Sequence, residues 1–360
     1  MKLSEFDYSY PEELIATHPL KNRDQSRMMV VKREDQSLTH HHIVDFISFL
    51  KKGDLVVLND TKVFPARLVG RKVSGGKIEI LLLSEKNRFW RAITNQTARL
   101  KKGSRLDFDG GLFCNVIERE GEEILVEFND PKLIDKVGLP PLPPYILKAR
   151  NRIVHHFLPS PLGGEGVGEG ADRDRYQTVY AKHLGSAAAP TAGLHFTSDL
   201  LEKIRGTGAE TANITLHVGL DTFSPVREEN IQKHKIHGEE YSIPQKTIDY
   251  ITDTKKNGGK VIAVGTTSVR ALESIAPLTP SLPLEGGGLG RGWHRTNLFI
   301  TPGYKFHTVD AMLTNFHQPK STLLMLVSAF AGKELILKAY KEAITQKYRL
   351  FSYGDCMLIT

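Results

Sequence analysis

Residues 260–275 read KVIAVGTTSVRALESI, and this stretch indicates the class of fold. The run from Lys260 to Val264 is typical of a buried strand, and it leads into a helix expected from about Ser268 to Ile275. A strand that runs directly into a helix is the repeating unit of α/β proteins, in which helices cover the faces of a sheet. The stretch therefore predicts an α/β domain.

The same alternation continues on both sides of this stretch. Helices are predicted over Ser198–Arg205 and Gln245–Lys256, and Ser321–Tyr348 is expected to hold two helices that divide near Gly332. The other predicted strands of this domain are Met28–Val31, Asp54–Asn59, Ala212–Val218 and Leu298–Ile300. Strands that alternate with helices predict a mixed sheet with flanking helices.

The pattern changes between Ala66 and about Phe128, where short β-rich runs follow one another with glycines in the breaks and no convincing helix. Such a series favours a small antiparallel barrel or sandwich. We therefore predict an α/β main domain with an inserted small antiparallel β-barrel domain. The predicted bounds are 1–64 and 151–360 for the two parts of the main domain and 65–150 for the barrel, with flexible Gly/Pro-rich insertions near 155–172 and 278–293.

The composition is that of a mildly basic globular protein. A formal net charge of +7 favours polyanionic partners, although it fits a basic enzyme without a nucleic-acid partner equally well. Two cysteines cannot form a disulfide framework or a zinc site by themselves. The apolar run Leu323–Phe330 is far shorter than the ~20 residues of a membrane span. These features predict a cytoplasmic protein without a membrane segment, and nothing indicates an obligate interface, so we expect a monomer.

Several segments place polar side chains where ligands bind. Asn59, Asp60 and Thr61 follow a strand, a common position for ligand contacts in α/β proteins. Residues 265–270 open a helix, whose free N–H groups attract anions, and Arg270 would add positive charge. Plain capping of the helix by Thr or Ser explains the same residues equally well.

A metal site is a second interpretation of the sequence. His234, His237 and Glu239 lie within six positions, so a metal-dependent hydrolase that uses these three residues is one alternative function. The sequence lacks the dinucleotide-binding glycine motif, the phosphate-binding loop, the serine-hydrolase motif and a Cys-x-x-Cys pair.

The segment 174–223 is dense in Gly, Ala, His and aromatic residues, which allow the backbone to approach a ligand closely and offer flat faces and polar tips. It belongs to a series of ordered motifs across nearly the whole chain: LNDT at 58–61, GLPPLPPYI at 138–146, DRYQTVYA at 174–181, APTAGLHFT at 189–197, TLHVG at 215–219, VGTTSVR at 264–270, NFH at 315–317 and FSYGD at 351–355. Together these motifs resemble the S-adenosylmethionine:tRNA ribosyltransferase-isomerase family of queuosine biosynthesis.

The resemblance implies an unusual reaction. The ribosyl part of S-adenosylmethionine is transferred to 7-aminomethyl-7-deazaguanine at the tRNA wobble position and rearranged, adenine and methionine leave, and epoxyqueuosine-tRNA forms. S-adenosylmethionine is then a substrate, no prosthetic group or metal is expected, and the partner is the anticodon arm of tRNA. A non-catalytic RNA-binding module is the other alternative.

This chemistry suggests roles for residues within the motifs. Proton transfer near pH 7 calls for histidine and carboxylate, and the candidates are His195, His217, Asp60 and Asp310. Aromatic faces stabilise a sulfonium, and the candidate substrate-binding residues are Tyr176, Phe196, Gly193, Thr266, Arg270 and His317. Candidate tRNA contacts are Arg23, Arg27, Arg67 and Arg175. For each residue a purely structural role is the alternative.

Overall fold

The computed structural model describes residues 1–94, 96–157, 169–219, 226, 228–234, 236, 238–275 and 292–360. The predicted insertion near 278–293 lies almost entirely outside these residues. Most of the insertion predicted near 155–172 does so as well, although its two ends are helical, in Pro144–Phe157 and Glu169–Arg175.

A mixed sheet forms the centre of the described structure, as the sequence predicts. In sheet order its strands are β15 (His294–Thr296), β13 (Glu239–Ser242), β12 (Glu210–Leu216), β3 (Leu55–Asn59), β14 (Val261–Val264), β16 (Ala311–Asn315), β17 (Cys356–Ile359), β1 (Arg27–Val31) and β2 (Leu38–His42), numbered in chain order. The neighbours β12, β3, β14 and β16 are parallel to one another. Their carboxyl ends therefore meet at one edge of the sheet.

Helices cover both faces of the sheet. In chain order the helices are α1 (Ile134–Val137), α2 (Pro144–Phe157), α3 (Glu169–Arg175), α4 (Ser198–Gly206), α5 (Gln245–Lys256), α6 (Thr266–Glu273), α7 (Thr322–Ala331) and α8 (Lys333–Thr345). Because side chains alternate along a strand, Leu55 and Val57 pack in the core beneath α5 to α8, whereas Val56 and Leu58 pack with α4 on the other face. The result is a three-layer α/β body.

The inserted barrel is also confirmed. Its strands are β5 (Arg67–Lys72), β6 (Lys77–Lys86), β7 (Phe89–Ile93), β8 (Arg105–Phe108), β9 (Phe113–Glu120) and β10 (Glu123–Phe128). They close in the order β10-β7-β6-β5-β8-β9 around their own hydrophobic core. Every neighbouring pair whose register is resolved is antiparallel.

Helix α2 begins inside the range that the sequence assigned to the barrel, yet it packs with the α/β body. Ile146 shares a core cluster with Tyr176 and Tyr353. The Arg150 guanidinium forms a buried pair with the Asp172 carboxylate, Nη1 to Oδ2 at 2.5 Å. A small parallel ribbon of β4 (Thr61–Val63) and β11 (His183–Ser186) extends from the end of β3.

The strand predicted at Leu298–Ile300 is wrong. The nearby strand is β15, a few residues earlier, where His294 pairs with Tyr241. After β15 the chain turns, since the Leu298 N–H donates to Thr296 Oγ1 at 3.1 Å. Ile300 is buried in the core without a sheet partner.

Candidate active site

Polar side chains gather at the carboxyl ends of the parallel strands. Asn59, the last residue of β3, links three of these ends. Its Nδ2 donates to the Leu216 carbonyl at 3.0 Å and to Thr267 Oγ1 at 3.3 Å, and its Oδ1 accepts from the Leu216 N–H at 3.0 Å. The ends of β3 and β12 and the first turn of α6 are therefore held in fixed relation.

An open pocket lies over this edge, and we call it the strand-end pocket. Its cavity volume is about 60 Å³, and the pocket is open to solvent. The residues that line it include Tyr145, Ala189, Thr191, Thr266, Asn315, His317, Phe351 and Ser352. None of the described lining residues is Asp, Glu, Lys or Arg. The first turns of α6 and α7 open onto the pocket, and their N–H groups favour an anionic or electron-rich group there.

His317 lines the strand-end pocket as a neutral imidazole. Its Nε2 lies 2.9 Å from Thr314 Oγ1, and its backbone N–H donates to Tyr340 Oη at 2.7 Å. Burial lowers the pKa of His317 to about 3, so the ring is uncharged at neutral pH. It can therefore exchange a hydrogen bond with a ligand without adding a buried charge.

His217, at the end of β12, is fixed on several sides. Its Nδ1 lies 2.7 Å from Thr61 Oγ1, and its ring stacks on Trp293 with centroids 4.7 Å apart and an interplanar angle of 22°. A Cβ on Gly185 would lie 2.6 Å from His217 Nε2, so only glycine fits beside the ring. Burial lowers the pKa of His217, against an opposing influence of Glu240.

Asp60 follows β3 and carries a buried carboxyl. Its Oδ1 accepts a hydrogen bond from Thr215 Oγ1 at 2.6 Å, and its Oδ2 lies 3.8 Å from His183 Nε2. Burial raises the pKa of Asp60, whereas the Thr215 bond acts in the opposite direction. The group is therefore suited to holding a proton at a higher pH than a free aspartate.

His195 does not line the strand-end pocket. Its ring is buried, with Nδ1 2.9 Å from Ser26 Oγ, and it borders a small separate cavity beside Arg23 and Arg175. Burial lowers its pKa to about 4, while the Asn315 side chain acts in the opposite direction. Its Nε2 has no well-aligned hydrogen-bond partner among the described residues.

The structure separates Asp310 from the other proton-transfer candidates. Asp310 precedes β16 and so lies at the amino ends of the parallel strands, across the sheet from the pocket. Its carboxylate accepts from Lys255 Nζ at 2.6 and 2.7 Å and from the Val261 N–H at 2.8 Å. These contacts tie α5 to β14 and β16 and leave the group away from the site.

Three of the candidate substrate-binding residues have structural contacts instead. Phe196 is fully buried in the core against Phe46. A Cβ on Gly193 would lie 2.0 Å from Tyr180 Oη, so glycine is required there by packing. Arg270 donates through Nη1 to Glu239 Oε2 in a buried ion pair. Of the predicted contacts, Thr266 and His317 line the strand-end pocket.

Tyr176 borders a second cavity, the interdomain cleft, between the barrel and the α/β body. The residues that line it include Arg23, Lys62, Pro65, Pro140, Tyr176 and Leu184, around a cavity volume of about 520 Å³. Burial raises the pKa of Tyr176, and the backbone of Ala189 and the side chain of Ser352 are close enough to oppose this rise. Ala189 and Ser352 also line the strand-end pocket, so Tyr176 separates the two cavities.

The arginines predicted to contact tRNA all have partners within the protein. Arg23 donates to the carbonyls of Leu194 and Asp174, and Arg175 donates to those of Leu20 and Lys21. The Arg27 guanidinium lies 3.8 Å from the centroid of the Tyr348 ring, and Arg67 Nε lies 3.1 Å from Glu79 Oε1. Of the four, Arg23 alone lines the interdomain cleft.

The described part of the metal-site alternative does not assemble. Glu239 pairs with Arg270, and His234 Nδ1 lies 2.8 Å from Glu228 Oε2, whereas His237 lies outside the described residues. Among the described residues there is no group of three or more His, Cys, Asp or Glu that could hold a metal ion.

In that same part of the chain, no helix has the length and apolarity that crossing a membrane requires.

Comparison with known proteins identifies the family. A family model described as "Queuosine biosynthesis protein" matches residues 3–359. The chain belongs to this queuosine biosynthesis family.

Relatives within the queuosine biosynthesis family match over their whole length. The chain is 46% identical to the S-adenosylmethionine:tRNA ribosyltransferase-isomerase of Thermosipho melanesiensis and 47% identical to that of Staphylococcus epidermidis, with complete coverage of both chains in each comparison. The crystal structure of the S-adenosylmethionine tRNA ribosyltransferase of Thermotoga maritima is similar at 35% identity, with a TM-score of 0.54 and coverage of 99% of this chain and all of that one. The matches support the fold and the class of enzyme together.

In this member of the queuosine biosynthesis family, sequence reasoning overlooked two aromatic residues beside the site. Tyr145 lines the strand-end pocket, with Oη 2.5 Å from Ser352 Oγ. The motif at 138–146 contains Tyr145, but the sequence assigns this residue no role. Trp293 stacks on His217, and no local pattern in the sequence indicated this contact.

Proposed function

We propose that this chain transfers and isomerises the ribosyl moiety of S-adenosylmethionine onto 7-aminomethyl-7-deazaguanine at the tRNA wobble position, giving epoxyqueuosine-tRNA with release of adenine and methionine. The observation that carries the proposal is the match over residues 3–359 to the family, together with relatives of that named activity at 46–47% identity. S-adenosylmethionine and tRNA are substrates, and the proposed reaction needs no prosthetic group.

S-adenosylmethionine binds in the strand-end pocket. The uncharged lining places no cation against the sulfonium, and the aromatic rings of Tyr145, Phe316 and Phe351 suit both adenine and a cationic sulfur. The opening turns of α6 and α7 favour the methionine carboxylate. A neutral His317 then lies within the same pocket as the reacting ribose.

The modified base enters from the interdomain cleft. Tyr176 lines this cleft and lies near Ala189 and Ser352 of the strand-end pocket, so a base extruded from the anticodon loop would approach the ribose past Tyr176. Lys62 at the rim supplies positive charge near the RNA backbone.

Proton transfer falls to residues at the strand ends. His317 contacts the ribosyl substrate and exchanges a hydrogen bond with it. Asp60, which follows β3 and whose pKa is raised by burial, is the candidate proton donor for departing adenine. His217, which is held between Thr61 and Trp293, is the candidate proton acceptor for the incoming aminomethyl group. His195 lies outside the pocket and holds in place the preceding segment, residues 189–192, which lines it.

Release of adenine tests the proposal. The purified chain is incubated with S-adenosylmethionine and tRNA that carries 7-aminomethyl-7-deazaguanine, and adenine is followed by chromatography. Adenine should appear only when both substrates are present. Binding of this tRNA without any adenine release would favour a non-catalytic RNA-binding module, and loss of activity on adding a chelator would favour a metal enzyme. Cytoplasmic location and a monomeric state stay predictions, and size-exclusion chromatography with light scattering checks the latter.

A further inference from the structure

Trp293 is a large aromatic residue held rigidly at the surface. Its side chain is 51% exposed although it stacks on His217, with ring centroids 4.7 Å apart. The His217 ring is itself fixed by its 2.7 Å contact with Thr61 Oγ1 and by the close approach of Gly185. The indole therefore rests on an immobile support while about half of its surface stays open to solvent.

The β4–β11 ribbon, whose Thr61 contacts His217, carries exposed apolar and basic side chains. Leu184, on the β4–β11 ribbon, is 56% exposed, and Lys62, Lys182 and His183 are exposed around it. The Asp60 carbonyl accepts the N–H groups of Lys182 and His183 at 2.7 and 3.2 Å, which fixes the backbone that carries these side chains.

This surface is continuous with the interdomain cleft, because Lys62 and Leu184 also line that cleft. The acidic neighbour on the other side is Glu240, which stands opposite Arg295 in the register of β13 and β15. The cleft is lined by Arg23, Lys62 and Arg173 against Asp135 and Asp174, so with Lys182 the charge along the cleft and the ribbon is positive on balance.

We propose that Trp293 is a stacking platform for an unpaired base of the RNA substrate, and that Lys62 and Lys182 contact the adjacent phosphates. Sequence-tolerant recognition of single-stranded RNA loops combines these two elements, a flat aromatic face and nearby cations. The inference rests on the proposed function, since it assigns part of the tRNA contact surface. A stacked base would also shield His217 from water and so link RNA docking to a side chain at the strand ends.

The tryptophan content of the chain allows a direct test. Trp90 and Trp293 are the two tryptophans of the sequence, so the Trp90→Phe variant leaves Trp293 as the sole indole fluorophore. An anticodon stem-loop RNA is titrated into this variant, and indole emission is recorded in parallel with the anisotropy of labelled RNA. We expect the emission of Trp293 to be quenched with the same Kd that anisotropy gives.

Matched variants measure the contribution to binding. Trp293→Ala should raise the Kd by roughly 5- to 100-fold, the range for one stacked base, whereas Trp293→Phe should retain most of the affinity. Lys62→Ala with Lys182→Ala should reduce the slope of log Kd against log salt by about two phosphate contacts. Lys341→Ala is the control, because Lys341 is exposed on α8, which contacts β2 at the far end of the sheet. Circular dichroism checks the fold of each variant.

The outcomes separate this inference from the proposed function. RNA that binds by anisotropy, but leaves Trp293 emission unchanged and binds Trp293→Ala as tightly as the parent chain, overturns the platform and leaves the proposed function standing. Absence of RNA binding by the wild-type chain overturns both. Quenching together with the loss of affinity in Trp293→Ala supports the platform.

Discussion

Burial sets the protonation of single residues around the site. The pKa of His317 falls to about 3 and that of His195 to about 4 because their rings are removed from water. The same desolvation raises the pKa of the Asp60 carboxyl. Neutral imidazoles and a carboxyl that binds a proton more readily than a free aspartate therefore lie around the site.

The two buried histidines predict a dependence of stability on pH. Their folded pKa values lie below the ordinary value of 6.5, so the unfolded chain binds more protons as the pH falls from about 6.5 towards 4. The free energy of unfolding should decrease in this window, by roughly 1.4 kcal/mol per pH unit for each histidine. Urea unfolding at several pH values measures this slope.

Two glutamine variants test the pH prediction, one at a buried histidine and one, the control, at an exposed histidine. His195→Gln should flatten the slope, whereas His307→Gln should leave it unchanged, because His307 is exposed. The carboxyls of Asp60 and Asp355, whose pKa values are raised, act in the opposite direction and are common to both variants. Equal slopes in the two variants would contradict the assignment to His195.

Two aspartates with different positions should differ in function. Asp60→Asn keeps the acceptor for Thr215 but loses the proton, so we expect turnover to fall by about 10²-fold. Asp310→Asn breaks the ion pair with Lys255 at the opposite edge of the sheet and should reduce stability by about 1 kcal/mol without changing turnover. Adenine release and thermal unfolding measure the two effects. The reverse pattern would return Asp310 to the mechanism.

For single residues, part of the site can be predicted from the sequence because the residues that follow parallel strands meet at one edge of the sheet. Thr266, His317, Asp60 and His217 all follow strands that turned out to be parallel neighbours, and the ends of such strands meet. The sequence does not show which way a side chain in an irregular segment points. Phe196 directly follows His195 in one motif, yet it faces the core.

Among the secondary-structure elements, long amphipathic helices, the barrel strands and the buried strands β1, β3 and β14 could be predicted, whereas the buried strands β16 and β17 could not. Gln245–Lys256 is a helix over the range that its sequence predicts. In contrast, β16 and β17 are four- or five-residue strands, buried throughout, whose places depend on partners distant in the sequence. Glu239, one of the three residues of the metal-site alternative, begins strand β13.

A buried ion pair anchors helix α6, and its loss should destabilise the protein. Arg270 pairs with Glu239 of β13, and both side chains are buried. Arg270→Met leaves the carboxylate buried and unpaired and should cost about 3–5 kcal/mol of stability. The double variant Arg270→Met with Glu239→Leu should recover most of this loss. Urea unfolding measures both, and a single variant as stable as the wild type would show that the pair does not hold α6.

In the whole molecule, the barrel is inserted between β4 and α2, and the cleft that results lies beside the strand-end pocket. The change of pattern near residue 66 predicted the insertion because an all-β run interrupts an alternating α/β series. The cleft itself could not be predicted, since it depends on how the two units pack.

The net charge of the molecule predicts salt-sensitive binding of tRNA. Three or more phosphate contacts along the interdomain cleft and the β4–β11 ribbon would raise the Kd by about tenfold or more between 50 and 200 mM salt. Filter binding of the tRNA over this range measures the change. A Kd that is independent of salt would contradict a phosphate-contacting surface.

The central claim is that this chain converts S-adenosylmethionine and base-modified tRNA into epoxyqueuosine-tRNA at the strand-end pocket. Mass spectrometry of nucleosides from the treated tRNA tests it most directly. The wild-type chain should replace the 7-aminomethyl-7-deazaguanine nucleoside by epoxyqueuosine, and Thr266→Trp, which fills the pocket, should not while still binding tRNA. Unchanged tRNA after treatment with the wild-type chain, or full conversion by the folded Thr266→Trp variant, would contradict the claim.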